Sequence, residues 1–565
     1  TDFPTTEDEL RRWDAFLDLP VWERFPEATA ANAQEVYPGV GDPMSFDVNL
    51  IAIEHGTRTA VEQMGLAKPM HLAERQEPGF FPVYYGYVHI NISAFREWVK
   101  YIPSGSPDAL DEQLFGKTRN GEEPAWKPGL REQAIRARTL LRLIPLVRRT
   151  PHDLARNEQA VEGFMQEMQA AEMAAWSDAE LMATLDRSLK RNLRTTEIHS
   201  RVTLFSGNSL ENLRGFLVER DCEDVDALVA DLCTGLREIE SAKPGREISR
   251  LAAAVRADKT LRRIFQHDPA SILAAIESSD ERSVQVFGQR FQGFLRRYGY
   301  RGVRELGIAT HVWAQRPESV IALIKSYAER PHTVSADVEL ADQERRREQT
   351  TADLERRLSR MQRRRFRGLL RAAHESIAAR ELAKAQWARS THSIRLLVRE
   401  AGRRLVERGA VDEVDDIPYM RLRDLRSAMA GEPRSDLREL IAGYKKTKEV
   451  CERVVLPERF MGKPEARWRA DVTETPRLTT DGVLRGIPVS PGRVTAKARV
   501  VKELQDEIDL EPGEILVCPF TDAAWTPLFF NAAAVVMDLG GPLSHGSTVA
   551  REYGLPAVVN VKIGT

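Results

Sequence analysis

A single histidine near the end of the chain, His545, lies in a context that favours covalent chemistry. The segment 535–561 reads VVMDLGGPLSHGSTVAREYGLPAVVNV, in which two apolar runs flank a glycine pair, the histidine and a helix-like stretch ending at Gly554. This pattern predicts a strand, a loop, a helix and a second strand, with His545 at the turn from loop to helix. A neutral imidazole is a nucleophile near pH 7, so the position suits a histidine that carries a phosphoryl group.

The residues next to His545 are of the types that hold a phosphate at the start of a helix. Gly541, beside Gly540, permits a tight turn and a close approach of the backbone. Ser544, Ser547 and Thr548 carry hydroxyl groups suited to cap a helix. The free N–H groups and the positive dipole end at such a start favour a bound anion. The alternative is a histidine that only packs at a turn.

The same stretch, 540–559, resembles the phosphohistidine signature of the PEP-utilising enzymes, which include phosphoenolpyruvate synthase, pyruvate phosphate dikinase, rifampicin phosphotransferase and phenylphosphate synthase. Segments 486–494 and 521–528 match the mobile domain of that family, and three ordered matches are more specific than one. The resemblance implies that His545 is the phosphorylated residue of a swivelling α/β domain. The family usually continues with another β hairpin after this point, so we expect either a fragment or a disordered end at Thr565. The resemblance also implies a phosphate loop supported by Gly541, Ser544, Gly546, Ser547 and Thr548.

The central part of the chain is predicted to be helical. From about 128 to 455, apolar residues recur at steps of three and four. The separate helices predicted in its first part are 132–148, 153–175, 178–204, 210–218 and 225–241. The Arg- and Glu-rich stretch 342–371 predicts one long exposed helix with ion pairs, although an RNA-binding stripe is an alternative interpretation.

These patterns predict a mixed fold, with a large, mainly α-helical domain followed by a small α/β domain. The resemblance implies that the first binds the acceptor and that the second carries the phosphohistidine. The first is expected to cover 1–461, including a mixed α/β part at 1–127. Residues 462–483 contain prolines and lack apolar periodicity, which predicts a linker. The mobile domain is expected at 484–565.

A second, weaker resemblance concerns the acceptor. Segment 294–306, followed by Trp313, is similar to the substrate-binding domain of rifampicin phosphotransferase, and Arg380-Glu-Leu-Ala-Lys384 matches a helix of the same family. It implies catalytic roles for Arg380 and Lys384 and acceptor-binding roles for Arg301, Glu305 and Trp313. From spacing alone, Arg380 and Lys384 share a helix face, which is also typical of a surface helix with an intrahelical ion pair.

Composition limits the other functions. The 565 residues predict two or three domains, and a formal net charge of −2 gives no electrostatic case for nucleic-acid binding. The four cysteines lack metal-ligand spacing, and no long uncharged apolar run is present. We therefore expect a cytoplasmic protein that binds neither nucleic acid nor membrane, with any metal ligands unknown.

The residues contain no Walker-type loop and nothing that resembles an ATP-grasp domain. By resemblance to phenylphosphate synthase and the cresol-phosphorylating enzymes, we expect a partner ATP-grasp subunit to bind ATP and Mg²⁺. ATP would yield AMP and phosphate, and His545 would pass the β-phosphoryl group to a phenolic or other aromatic hydroxyl. The alternatives are a fragment of a single-chain antibiotic phosphotransferase, a pyruvate-type enzyme, and a non-catalytic helical interaction protein.

Overall fold

The computed structural model describes most of the chain. The described residues are 19–30, 33–74, 78–103, 105–108, 110–111, 127–329, 336–468, 483–502, 510–521, 525–529, 531–541 and 544–561. The greater part of the predicted linker, 469–482, and the chain end at 562–565 lie outside them.

Helices dominate the described residues. In chain order they are α1 (Ala33–Val36), α2 (Pro43–Ser45), α3 (Ile51–Gln63), α4 (Ile92–Val99), α5 (Leu130–Ala170), α6 (Asp178–Val218), α7 (Val225–Leu232), α8 (Lys243–Ala257), α9 (Lys259–Ile264), α10 (Pro269–Ser278), α11 (Arg282–Tyr298), α12 (Pro317–Ala328), α13 (Ala336–Arg357), α14 (Arg360–Glu407), α15 (Leu422–Met429), α16 (Leu437–Cys451), α17 (Thr526–Phe529) and α18 (His545–Glu552).

The strands are short. They are β1 (Glu27–Thr29), β2 (Val83–Tyr84), β3 (Tyr87–Val88), β4 (Val454–Val455), β5 (Arg459–Met461), β6 (Arg467–Trp468), β7 (Ile487–Ser490), β8 (Ala498–Val500), β9 (Ile515–Cys518), β10 (Ala534–Met537) and β11 (Ala557–Val559). Antiparallel pairs form between β1 and β5, β2 and β3, and β4 and β6. The C-terminal strands form one sheet in the order β7-β11-β10-β9-β8, parallel except for β7. The predicted class, mainly helical with a small α/β part at the C-terminus, is confirmed.

Residue contacts divide the chain into two compact units. The first comprises Thr1–Phe205, Leu306–Thr310 and Ala383–Thr475, and the second comprises Ser206–Glu305, His311–Leu382 and Pro476–Thr565. Two of the boundaries fall inside the long helices α6 and α14, and a third falls inside the predicted linker. The domain boundaries predicted from the sequence remain predictions.

Each unit has its own apolar core. In the first unit, apolar side chains of α5, α6 and α14 pack with those of α15 and α16. In the second unit, one cluster joins the C-terminal sheet, through residues such as Leu516 and Val535, to Phe216 of α6 and Phe366 of α14. A second cluster in this unit is built from helices α8 to α12.

The predicted break between helices near residue 150 is wrong. Pro145 and Pro151 both lie inside the single helix α5. Proline lacks an N–H group and crowds the carbonyl four residues earlier, so a break is the ordinary expectation. Buried side chains continue on both sides of Pro151, including Leu146 and Leu154, and this packing keeps the helix in one piece.

The single long helix predicted over 342–371 is instead two helices, α13 and α14. The second begins after Ser359, whose backbone N–H donates to Gln362 Oε1 at 2.9 Å while its hydroxyl accepts from the Gln362 N–H at 3.4 Å. This reciprocal capping starts a new helix within an otherwise continuous polar pattern. Within the described residues, every helix is too short or too polar to cross a lipid bilayer.

Candidate active site

His545 is the first residue of α18, on the connection between the parallel strands β10 and β11. These strands pair Val535 with Ala557 and Val536 with Val558, so the loop before α18 leaves the carboxyl end of β10. In parallel α/β sheets, ligands bind at this edge. The strand, loop, helix and strand predicted around His545 are therefore present. The description of His545 is confined to its backbone.

The loop before α18 is closed by its own hydrogen bonds. Ser544 is the N-cap, and its hydroxyl accepts from the Ser547 N–H at 3.3 Å. The Ser547 hydroxyl donates to the Gly541 carbonyl at 2.7 Å and lies 2.9 Å from the Ser544 hydroxyl. These contacts fix the start of the helix, where N–H groups and the helix dipole favour a phosphate. Gly541, Ser544 and Ser547 thus lie together beside His545, as predicted.

Gly546 allows the loop to pack closely on the sheet. A methyl carbon built on Gly546 would lie 2.3 Å from Thr521 Oγ1 and 2.4 Å from Met537 Sδ. Both distances are far below van der Waals contact, so only glycine fits at this position. Gly540, with a φ of 134°, supplies the turn that leads into the loop.

We expect Gly546→Ala to displace the helix start from the sheet. The overpacking should cost about 1–3 kcal/mol of stability, because the added methyl group would clash with Thr521 and Met537. Gly368→Ala is the matched control, since Gly368 lies in a helix with no neighbouring atom within 4 Å of the added carbon. It should stabilise the chain by about 0.5–1 kcal/mol. Thermal unfolding followed by circular dichroism would compare them, and equal melting temperatures would contradict the packing argument.

Thr548 and Arg551 anchor the remainder of α18. Arg551 is buried and donates to the Val489 carbonyl of β7 at 3.3 Å and to the Thr548 hydroxyl at 3.5 Å. Thr548 therefore supports the helix body, one turn after His545. Arg551 is not among the residues predicted from the sequence, although a basic residue within an otherwise small and apolar helix face is a signal in that sequence.

Arg301, Glu305 and Trp313 meet in the second unit. Arg301 Nη1 donates to both oxygens of Glu305, at 2.9 and 3.0 Å, and both side chains are buried. Burial lowers the pKa of Arg301, but Glu305, Tyr300 and Glu240 raise it, and the net direction is upward. The backbone N–H of Trp313 donates to the backbone carbonyl of Arg301 at 2.8 Å. The ring centroids of Trp313 and Phe294 are 5.8 Å apart in the apolar core. Their acceptor-binding roles stay predictions.

Arg380 and Lys384 both lie in α14, one turn apart, and both are half-buried. The Arg380 guanidinium is 3.7 Å from the Glu381 carboxylate. Arg380 belongs to the second unit and Lys384 to the first. Their catalytic roles also stay predictions.

No metal site is assigned to this chain. Among the described residues, no group of three or more His, Cys, Asp and Glu side chains is placed to hold a metal ion. Residues that would bind Mg²⁺ are therefore not identified among the described residues.

Comparison with known proteins supports the two resemblances. Residues 199–381 match the family described as rifampicin phosphotransferase fourth domain, and residues 510–565 match PEP-utilising enzyme, mobile domain. His545 and its loop lie in the second match. Arg301, Glu305, Trp313 and Arg380 lie in the first, whereas Lys384 lies just beyond it.

Relatives extend this similarity over most of the chain. The prodigiosin synthesizing transferase PigC of Serratia marcescens is 31% identical over 322 residues, covering 56% of this chain and 35% of its own. A rifampicin phosphotransferase of Streptomyces sviceus is 30% identical over 282 residues, which cover 48% of this chain and 32% of that protein. An uncharacterized protein of Mycobacterium tuberculosis is 26% identical over 579 residues, which cover 97% of this chain and 60% of that protein. The chain thus spans between about a third and three fifths of each relative's length.

Proposed function

Because this chain belongs to the PEP-utilising enzymes, we propose that it carries a phosphoryl group on His545 and transfers it to the hydroxyl of a phenolic or other aromatic acceptor. The observation that carries the proposal is the capped start of α18, where His545 follows Ser544 and precedes Gly546. The match to the mobile domain of phosphohistidine enzymes over the same residues supports it.

The proposed reaction has two half-reactions. In the first, an imidazole nitrogen of His545 attacks the β-phosphorus of ATP, the bond from that phosphorus to the α-phosphate oxygen breaks, and AMP leaves. The β- and γ-phosphoryl groups then remain on His545. Water attacks the γ-phosphorus, the bond from it to the bridging oxygen breaks, inorganic phosphate leaves, and the β-phosphoryl group stays on His545. In the second, the acceptor oxygen attacks phosphohistidine, the phosphorus–nitrogen bond breaks, and the hydroxyl proton passes to the imidazole. Splitting one transfer into two lets each site be shaped for its own partner.

The loop around His545 contributes positioning and charge stabilisation. In this proposal, N–H groups at the start of α18 bind the phosphoryl group on His545, and the helix dipole stabilises its negative charge. Ser544 and Ser547 fix the start of the helix through hydrogen bonds to each other, and the Ser547 hydroxyl also donates to the Gly541 carbonyl. We propose that Arg380 and Lys384 neutralise the phosphoryl group as it leaves His545. Arg301, Glu305 and Trp313 would support the acceptor-binding region from within one buried cluster.

The phosphoryl donor site is proposed to lie in an ATP-grasp module outside these 565 residues, on a partner subunit. ATP and Mg²⁺ would bind mainly there, and Mg²⁺ would neutralise the phosphate charges. The alternative is that the module precedes these residues in one longer polypeptide of the rifampicin phosphotransferase type. The similarity to proteins of that name, about a third of whose length the matches cover, favours this alternative.

Separate assays of the two half-reactions test the acceptor side. The 565-residue chain is first loaded from β-labelled ATP by an added ATP-grasp module, and transfer to a phenolic acceptor is then followed in a single turnover. We expect Arg380→Ala and Lys384→Ala to load normally but to transfer roughly 100-fold more slowly, because each removes a cation from the transition state. Arg371→Ala, an exposed position on the same helix, is the control and should transfer at the unchanged rate. Unchanged transfer by both variants would refute the proposed role of α14.

A further inference from the structure

The first half of α5, in the first unit, presents an apolar face to solvent. Its inner face packs into an apolar cluster of that unit through Leu143 and Leu146. On the opposite side, the exposed fractions of four apolar side chains are 46% for Leu140, 72% for Leu141, 43% for Ile144 and 47% for Val147. Spacings of three and four residues place these four side chains in one outer stripe along the helix. The outer face of a helix in a globular domain is ordinarily polar, so the outer stripe indicates a binding surface.

The charges on this part of α5 have one sign. Between Glu132 and Asp153 the sequence contains five arginines and no aspartate, glutamate or lysine. Arg136 is half-buried and donates to two backbone carbonyls, so its role is structural. The remaining arginines are exposed: Arg138, Arg142, Arg148 and Arg149. Arg149 pairs with Asp153 at 3.1 Å, whereas the other three form no ion pair with a described residue.

The exposed arginines lie beside the outer stripe. Arg142 follows Arg138 by four residues and precedes Arg149 by seven, so these three share one side of the helix. Arg148 follows Ile144 by four residues and continues the outer stripe itself. An apolar face flanked by cations is typical of helices that lie in the interface of an anionic membrane. Their apolar side chains enter the acyl region while the guanidinium groups stay at the level of the lipid phosphates.

We propose that the outer stripe of α5 and its arginines bind the surface of an anionic lipid bilayer. A bilayer offers an apolar phase and a dense layer of phosphates on one surface, and so matches both parts of this face. Nucleic acid offers phosphates but no apolar phase for the leucines. A second copy of the chain would bring the same arginines towards each other, and their repulsion opposes self-association. The inference is independent of the carrier function.

Binding of this kind does not require a helix that crosses the bilayer. The expectation that the chain has no membrane partner rested on the absence of a long uncharged apolar run, which is the mark of a crossing segment. A helix that lies in the plane of the interface buries one face only and carries charges beside it. The outer stripe and its arginines fit this second type.

Co-sedimentation of the full chain with lipid vesicles tests the proposal. We expect binding to vesicles of phosphatidylglycerol and phosphatidylcholine in equal amounts to be at least about tenfold tighter than binding to phosphatidylcholine alone. It should weaken as the salt concentration rises from about 0.1 M to about 0.5 M. Leu141→Glu combined with Ile144→Glu should weaken it at least about tenfold, because two apolar side chains no longer enter the bilayer. Arg138→Gln combined with Arg148→Gln should weaken it roughly tenfold, since each arginine near such a surface contributes about fivefold.

Matched controls change the same charges at exposed positions of other helices. Val286→Glu with Val338→Glu and Arg364→Gln with Arg371→Gln should leave vesicle binding unchanged. A chain that does not sediment with the anionic vesicles overturns the inference, as does an equal loss in variants and controls. Equal binding to both kinds of vesicle overturns the role of the arginines. A dimer in analytical ultracentrifugation, or a complex with an ATP-grasp module, that only the α5 variants disrupt in a chain that ignores vesicles would assign the outer stripe to a protein interface instead.

Discussion

Replacing His545 with alanine is expected to abolish both half-reactions. The chain loses the nucleophile that is proposed to receive the phosphoryl group. Direct transfer would require ATP and the acceptor to bind next to each other at one site. We expect the overall rate to fall at least about 10⁴-fold, as for other removed nucleophiles. The measurement is incorporation of label from β-labelled ATP into the chain and then into a phenolic acceptor, with the ATP-grasp module present. His267→Ala, which removes an exposed histidine of the second unit, is the control.

Three results of this experiment would contradict the proposal. Acceptor phosphorylation that survives His545→Ala would exclude the carrier role. Label that reaches His545 without any added module would show that the donor site lies within these residues, and the separate ATP-grasp module would then be wrong. A chain that is never labelled, with or without the module, would favour a non-catalytic helical protein.

The carrier loop could be predicted because its determinants are local in sequence. Gly541, Ser544 and Ser547 act within seven residues of one another, so their capping roles follow from their types and spacing. The helical character of the central region was likewise evident, since apolar residues repeat with a helical period. The observed helices differ from the predicted ones at two places. Tertiary packing keeps the helix continuous at Pro151, and a local cap at Ser359 starts a new helix.

The contact between the tail of α18 and the loop after α7 was not predictable in this way. The Thr234 hydroxyl donates to the Arg551 carbonyl, although the two residues are more than one hundred residues apart along the chain, and nothing in the type of Thr234 distinguishes it from a surface residue. The division into two units was also hidden, because single helices such as α14 contribute to both. Long-range contacts of this kind arise from packing, which one sequence does not display.

The pair of Arg301 and Glu305 offers the largest expected effect on stability. Both side chains are buried, and removal of one partner leaves the other charge in an environment that solvates it poorly. We expect Arg301→Ala to destabilise the second unit by about 3–5 kcal/mol. Arg356→Ala, which removes an exposed ion pair with Asp353, is the control and should cost less than about 1 kcal/mol. Calorimetric unfolding of the full chain provides the measurement.

A second substitution distinguishes a buried charge from lost packing. Without Arg301, the Glu305 carboxylate is buried without its partner, so Glu305→Gln added to Arg301→Ala removes the uncompensated charge and should recover part of the lost stability. Calorimetric unfolding of the single and double variants provides the measurement. A defect of the same size in both variants would instead assign the loss to the packing of the arginine side chain.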